Sequence, residues 1–184
     1  RKKTFDVLYE DEDILIVNKP AFLASQPGTG VEKNNLIDQI KAYLKGSPTK
    51  PALAHRLDRG TSGIIVAGKH RKAILALFKL FKEKQVKKHY IALVQGRITP
   101  EQGVLRSYIR RVKEKFQHKM VPAEGTEEDA VLAETEYKVK EQFKNYTLVE
   151  LKLATGKMHQ IRVQLQQAGH PILGDPLYGD KRMN

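Results

Sequence analysis

The stretch His55-Arg56-Leu57-Asp58-Arg59-Gly60-Thr61-Ser62-Gly63 sets one carboxylate, Asp58, among two guanidiniums and an imidazole. Cationic neighbours favour the ionised form of an acid, so Asp58 is expected as a carboxylate at neutral pH. The apolar run Ile64-Ile65-Val66-Ala67 follows at once, which reads as a glycine-punctuated turn leading into a buried strand. A single positioned carboxylate among side chains that bind phosphate suits chemistry on the sugar of a nucleotide. Taken alone, the same Asp could equally cap the turn and pair with its arginines. If residues 55–58 are extended, side chains alternate, so Arg56 and Asp58 share one face and His55 and Leu57 the other. Leu57 would then anchor the loop in the core and leave the Arg/Asp pair facing a cleft.

The elements that must position this loop are short. Residues 5–9 and 14–18 read as strands around the acidic turn 10–13, and Lys19-Pro20 ends the second because proline cannot donate to a ladder. Residues 25–30 form a loop. Asn34 or Asn35 is placed to cap a helix carrying Leu36, Ile37, Ile40, Tyr43 and Leu44, which ends at Gly46 and Pro48. Residues 71–84 make an amphipathic helix, with Ile74, Leu77, Phe78 and Phe81 on a core-facing side and lysines around the rest. Strands are expected at 89–95 and 104–109, an irregular loop at 118–129, and a hairpin of 132–139 with 146–153. Thr155 then caps a helix running to about Ala168, closed by Gly169 and Pro171. On that helix His159, Arg162 and Val163 share a face, while Ile161, Leu165 and Ala168 turn to the core.

Strands outnumber helices and short turns join neighbours, so antiparallel pairing and an α+β class are expected. No repeat and no linker divides the chain, which reads as one domain over 1–184. With 184 residues, 40% of them hydrophobic and 29% charged, it has the composition of a globular rather than a disordered protein. Cysteine is absent, which excludes disulfides and thiolate metal sites and fits an intracellular protein. No run is long enough to span a bilayer, and the first residues show no signal-peptide pattern. The net charge of +12 points to a polyanionic partner. Position sharpens this: Lys69 to Tyr90 holds eight Lys/Arg against one acid, and Arg106, Arg110, Arg111, Lys113, Lys115 and Lys119 form a second cluster. Such segregation is the footprint of a nucleic-acid surface rather than a membrane, since no basic amphipathic helix shows large exposed apolar residues.

The block 55–63 resembles the catalytic motif of the RluA-type pseudouridine synthases. Tyr9-Glu10-Asp11-Glu12-Asp13-Ile14-Leu15-Ile16-Val17-Asn18-Lys19-Pro20 resembles that family's first motif. Thr155-Gly156-Lys157-Met158-His159-Gln160-Ile161-Arg162-Val163, with the Gly-His-Pro stretch from Gly169 to Gly179, resembles its last. Three blocks in order over most of the chain make a strong signal. Lys157, Met158 and Gln164 depart from the family pattern, where Arg, Thr and His are usual; Lys157 keeps the charge but loses the bidentate fork.

The resemblance implies a mixed, largely antiparallel central sheet with flanking helices and a basic catalytic cleft. It implies an isomerase that converts uridine to pseudouridine in structured RNA, ribosomal RNA first and transfer RNA second, with no cofactor and no metal. By the same resemblance Asp58 is the catalytic residue and Arg56 holds the nucleotide out of its helix. Tyr90, in the strand after Lys88-His89, would stack on uracil and assist at C5, although periodicity alone equally fits a half-buried strand tyrosine. Arg162 would pair with the catalytic Asp and keep it ionised; a solvated helix face is the plainer alternative. Arg59, His159, Gln160, Lys157 and Lys19 complete the expected RNA contacts, while His170 and Asp175 are expected to fix their loop. His159 has no metal-binding companion at suitable spacing.

The resemblance further suggests that the chain is an excised catalytic domain, clipped at its C-terminus, from a protein that can carry an S4-like domain. It is expected to act in the cytoplasm as a monomer. Two other classes remain open: a non-catalytic RNA-binding or ribosome-assembly module on the same fold, and a nucleoside hydrolase or glycosylase. A hydrolytic glycosidase typically needs two opposed carboxylates, and the Asp58 block offers one.

Overall fold

The structure is a computed structural model that describes residues 3–28, 33–46, 48, 50–114 and 117–180. The chain divides into two compact units, Arg1–Val86 and Lys87–Asn184. Both combine antiparallel sheet with helix, the α+β class expected from the alternation of short strands and helices.

Unit 1 holds β1 (Asp6–Glu10), β2 (Ile14–Lys19), α1 (Leu36–Tyr43), β3 (Ala52–Leu53), β4 (Gly63–Gly68) and α2 (Arg71–Lys82). Its four strands lie in the order β1-β2-β4-β3. Leu15 stands opposite Ala67, and Val17 opposite Ile65, in an antiparallel register that puts all four in the core. Leu36 and Ile40 of α1 are buried as well. Of the two candidate caps for α1, Asn35 takes the role, its side chain accepting from the Asp38 N–H at 3.0 Å. Gly63 enters β4 at φ +131°, a conformation that excludes most side chains. Gly68 leaves the strand where a Cβ would stand 2.8 Å from the Ile74 nitrogen, so α2 can approach β4 only over glycine.

The expected core face of α2 holds in part: Ile74, Leu77 and Phe81 are half-buried, and Phe78 is the correction. Only Ala73 is buried, and Phe78 is 45% exposed, together with Leu75 and Leu80. Apolar residues occupy 74, 75, 77, 78, 80 and 81, which is wider than one helical stripe, so part of the set must meet water.

Unit 2 holds β5 (His89–Gln95), β6 (Gln102–Glu114), β7 (Gln117–Ala123), β8 (Val131–Gln142), β9 (Tyr146–Leu153) and α3 (Gln160–Gln167). The strand order is β5-β9-β8-β6-β7, again antiparallel throughout. Two apolar clusters fill it. One gathers Ala92, Val94, Ile98, Val149, Leu151 and Leu165; the other gathers Ile109, Met120, Ala133, Val163 and Tyr178.

Three sequence expectations change here. The loop expected at 118–129 begins as strand β7, with Met120 buried opposite Arg111. As the edge of the sheet, β7 tolerates Pro122 and an otherwise polar sequence. Thr155 does not cap α3: its hydroxyl donates to Gln160 Oε1 at 2.7 Å and accepts from the Glu134 N–H, and the helix starts only after His159. On α3 itself Val163 is fully buried and Ala168 is exposed, the reverse of the expected assignment of those two.

Candidate active-site residues in the two units

In unit 1 the loop from β3 to β4 carries Asp58. Its frame comes from residues that face inward. His55 Nε2 accepts the Val66 N–H at 3.1 Å, and the imidazole stacks on Phe81 with ring centroids 4.8 Å apart. Leu57 is 9% exposed and is gripped on both backbone groups: its N–H donates to Ser25 Oγ at 3.1 Å, and that hydroxyl donates to its carbonyl at 2.6 Å. The Thr61 N–H donates to the Asp58 carbonyl at 3.0 Å and closes the turn. Asp58 is left half-buried, with Arg56 and Arg59 exposed on either side. The anchor role expected of Leu57 is therefore observed.

Lys19 sits beneath this loop at the end of β2. It was expected to touch RNA, but it is fully buried, so that expectation is corrected. Its ammonium donates to the carbonyls of Pro20 at 3.0 Å, Leu23 at 2.7 Å and Arg59 at 3.3 Å. Burial pushes its pKa down to about 8, against the opposing pull of the negative charge on Asp58. Lys19 thus ties two loops together from inside, and its charge reaches the Asp58 carboxylate.

In unit 2 the other named residues lie on β5 and along the stretch from Lys157 through α3 to Tyr178. Arg162 Nε donates to Asp175 Oδ2 at 2.7 Å and Nη2 to Oδ1 at 3.1 Å, a bidentate pair. The guanidinium carbon also lies 4.9 Å from the centre of the Tyr178 ring. Asp175 further accepts the N–H groups of Leu177 and Tyr178, at 2.9 and 3.0 Å. Burial alone would raise the Asp175 carboxyl; Arg162 and the two N–H groups outweigh it and hold the pKa below the ordinary value.

His159 precedes α3 in a left-handed conformation, φ +52°, with Nδ1 2.8 Å from the Tyr178 hydroxyl. That hydroxyl also accepts the Met120 N–H at 2.8 Å. Lys157 is exposed. Gln160, expected to contact RNA, is instead buried and fully engaged inside. Its amide donates to the Glu134 carbonyl and the Thr135 hydroxyl, and its oxygen accepts from Thr155 and the Lys157 N–H. Tyr90 is half-buried on β5, packed against the first apolar cluster of the unit.

Sequence reasoning missed Gln164 as a buried partner of this network. It accepts from the Thr135 hydroxyl at 2.7 Å and donates to the Leu105 and Ala133 carbonyls. A signal was available: Gln160 and Gln164 lie four apart beside Val163, so two amides sit in the core-facing stripe and must find partners.

The basic clusters are partly neutralised. Arg110 pairs with Glu127 at 2.7 Å and Lys119 with Glu114 at 2.9 Å. Beyond Ile109, β6 pairs only with β7, so residues 110–114 and 117–121 form a two-stranded basic ribbon. No helix among the described residues is long and apolar enough to cross a membrane. What the two units offer chemically is a preset carboxylate flanked by exposed guanidiniums in one, and a cation fixed by a buried acid in the other.

The chain is similar to known proteins over most of its length. A family model described as RNA pseudouridylate synthase matches residues 13–167. The Bacillus subtilis protein named uncharacterized RNA pseudouridine synthase YlyB is 35% identical over 182 residues, covering 96% of this chain and 58% of the relative. Ribosomal large subunit pseudouridine synthase C of Buchnera aphidicola is 36% identical over 187 residues, covering 97% of this chain and 55% of the relative. The chain thus spans little more than half the length of these relatives. Among solved structures, human RNA pseudouridylate synthase domain containing 1 superposes with a TM-score of 0.81 at 28% identity, over 98% of this chain and 72% of that one. With the blocks 55–63 and 155–163 inside the matched region, the chain belongs to the RNA pseudouridylate synthase family, in its RluA-type branch.

Proposed function

We propose that this chain isomerises uridine to pseudouridine in structured RNA, with Asp58 as the catalytic carboxylate. The observation that carries this most is the way the Asp58 loop is preset: Leu57 is gripped by Ser25 on both backbone groups, and Lys19 holds the Arg59 carbonyl from beneath. A carboxylate that acts at a sugar carbon gains from such fixing, because little reorganisation then remains at the moment of reaction. The N1–C1′ bond breaks, the uracil turns and a C5–C1′ bond forms. The proton on C5 leaves to solvent and N1 takes one up, so the product has the composition of the substrate. The balance requires no water molecule, oxidant or second carboxylate.

Arg56 is assigned to holding the nucleotide out of its stack, a displacement that costs a few kcal/mol unless the base already sits in a loop. Tyr90 is assigned to the uracil ring, and Arg162 keeps the role the family resemblance implies for it. Arg59, Lys157 and His159 are left to contact phosphate or sugar. Lys19 and Gln160 become positioning residues, because both are buried. Ribosomal RNA is the proposed substrate class, supported by the names of relatives such as the large-subunit synthases C and D, and the cytoplasm is the matching place of action.

The test uses RNA transcribed with 5-tritiated uridine. Tritium released to water, with uracil retained in the polymer, is the expected result. Free uracil would mark a glycosylase instead, and salt-sensitive binding with no release would mark a binding module.

A further inference from the structure

Phe22 stands in the turn after β2 at φ +65°, in the left-handed region that glycine enters freely and a bulky side chain enters at a cost. Phe22 is 74% exposed, more than any other large apolar residue among the described residues. Neither property favours folding, since the backbone is strained and the ring buries little surface. The turn persists because its surroundings fix it. The Lys19 ammonium holds the carbonyls of Pro20 and Leu23 on either side, at 3.0 and 2.7 Å. Arg59 Nε donates to the Phe22 carbonyl itself at 3.2 Å, and Leu23 is anchored at 9% exposure.

That clamp is shared with the Asp58 loop. The same ammonium bonds the Arg59 carbonyl and feels the Asp58 charge. A scattered exposed phenylalanine is ordinary on a protein surface. A strained one, held open by the residues that set the candidate catalytic loop, is the pattern of a functional position. Beside it lies an exposed guanidinium, Arg59. An aromatic face next to a cation is the combination with which proteins hold unpaired nucleotides, the ring taking the base and the cation the phosphate.

We propose that Phe22 is a stacking platform for a nucleobase of the RNA substrate, one neighbouring the uridine that is modified. This inference rests on the chain acting on RNA, and its test separates the two. The protein has no tryptophan, so Phe22→Trp introduces a single indole at the position in question. The probe is an RNA hairpin with a uridine loop, and its addition should quench that emission. Phe22→Ala should weaken binding roughly tenfold, and Phe22→Tyr should restore it. The salt dependence should not change, because the ring neutralises no phosphate. Phe22→Gly should lose the same affinity while its Tm stays at or above the parent's, since glycine relieves the left-handed backbone. Unchanged indole emission, with parental affinity in the Ala and Gly variants, overturns the proposal and leaves the RNA reading intact. Failure of the parent itself to bind the hairpin or release tritium overturns both.

Discussion

Lys19 in unit 1 and Asp175 in unit 2 occupy matching positions with opposite charge. Each is buried beneath a residue assigned to chemistry: a cation under the loop of an anion, Asp58, and an anion bonded to a cation, Arg162. The means differ. Lys19 engages three carbonyl dipoles, and burial still costs enough to lower its pKa to about 8. Asp175 engages a full opposite charge and two N–H donors, which together more than offset its burial. The lesson is that one layer of support can be built from dipoles or from charge, and that the two should show their pH dependence in different windows, alkaline for Lys19 and acid for Asp175.

The largest stability loss is expected on breaking the charge pair. Asp175→Asn leaves Arg162 facing a neutral amide at a partly buried site, which should cost about 3–5 kcal/mol in urea unfolding. The direction of the pH effect follows from the depressed carboxyl. The pair's contribution should be full above the ordinary carboxylate range and fade as pH falls through the lowered value. A parent-minus-variant difference that stays constant down to strongly acid pH would contradict this.

Lys19→Met should cost somewhat less, about 2–4 kcal/mol, by leaving buried carbonyls without their donor. Here the sign is the same but the window is alkaline rather than acid. The unfolded chain keeps the Lys19 proton up to about 10.5 while the folded chain releases it near 8, so raising pH across that window should stabilise the parent relative to the variant. Paired urea melts at pH 7.5 and 10 read the difference, and a flat difference would mean that the ammonium is not penalised by burial.

A smaller effect sharpens the picture in unit 2. Tyr178→Phe removes the acceptor of the buried Met120 N–H and the partner of His159, and should cost about 1–2 kcal/mol. Because the ring remains over Arg162, the pH profile of the Asp175 pair should be unchanged.

Legibility in the sequence followed local pattern. β5 and β9 carry clean alternation and lie at the expected residues, 89–95 and 146–153. β7 was invisible because an edge strand with one buried residue, Met120, has no repeating apolar signal to find. α3 was misread at its start because Thr155, a good cap by type, is drawn off by Gln160, a partner fixed by tertiary packing. The motif blocks pointed to Asp58 and Arg162, since spacing in the chain is what a motif records. Their supports were harder to see. The strand period puts Lys19 on the face of Leu15 and Val17, but nothing in the sequence says which carbonyls its ammonium would meet, or that Asp175 would meet Arg162 across 13 positions. Such partners are chosen by the folded chain.

The most direct measurement is single-turnover tritium release by Asp58→Asn, with RNA affinity measured on the same preparation. Asparagine keeps the shape of the half-buried side chain and removes only its charge. Release should fall at least about 10³-fold while the Kd for the RNA stays within a few-fold of the parent's. Release near the parental rate would contradict the assignment of the chemistry to Asp58, and a large loss of affinity at equal turnover would make it a binding residue instead.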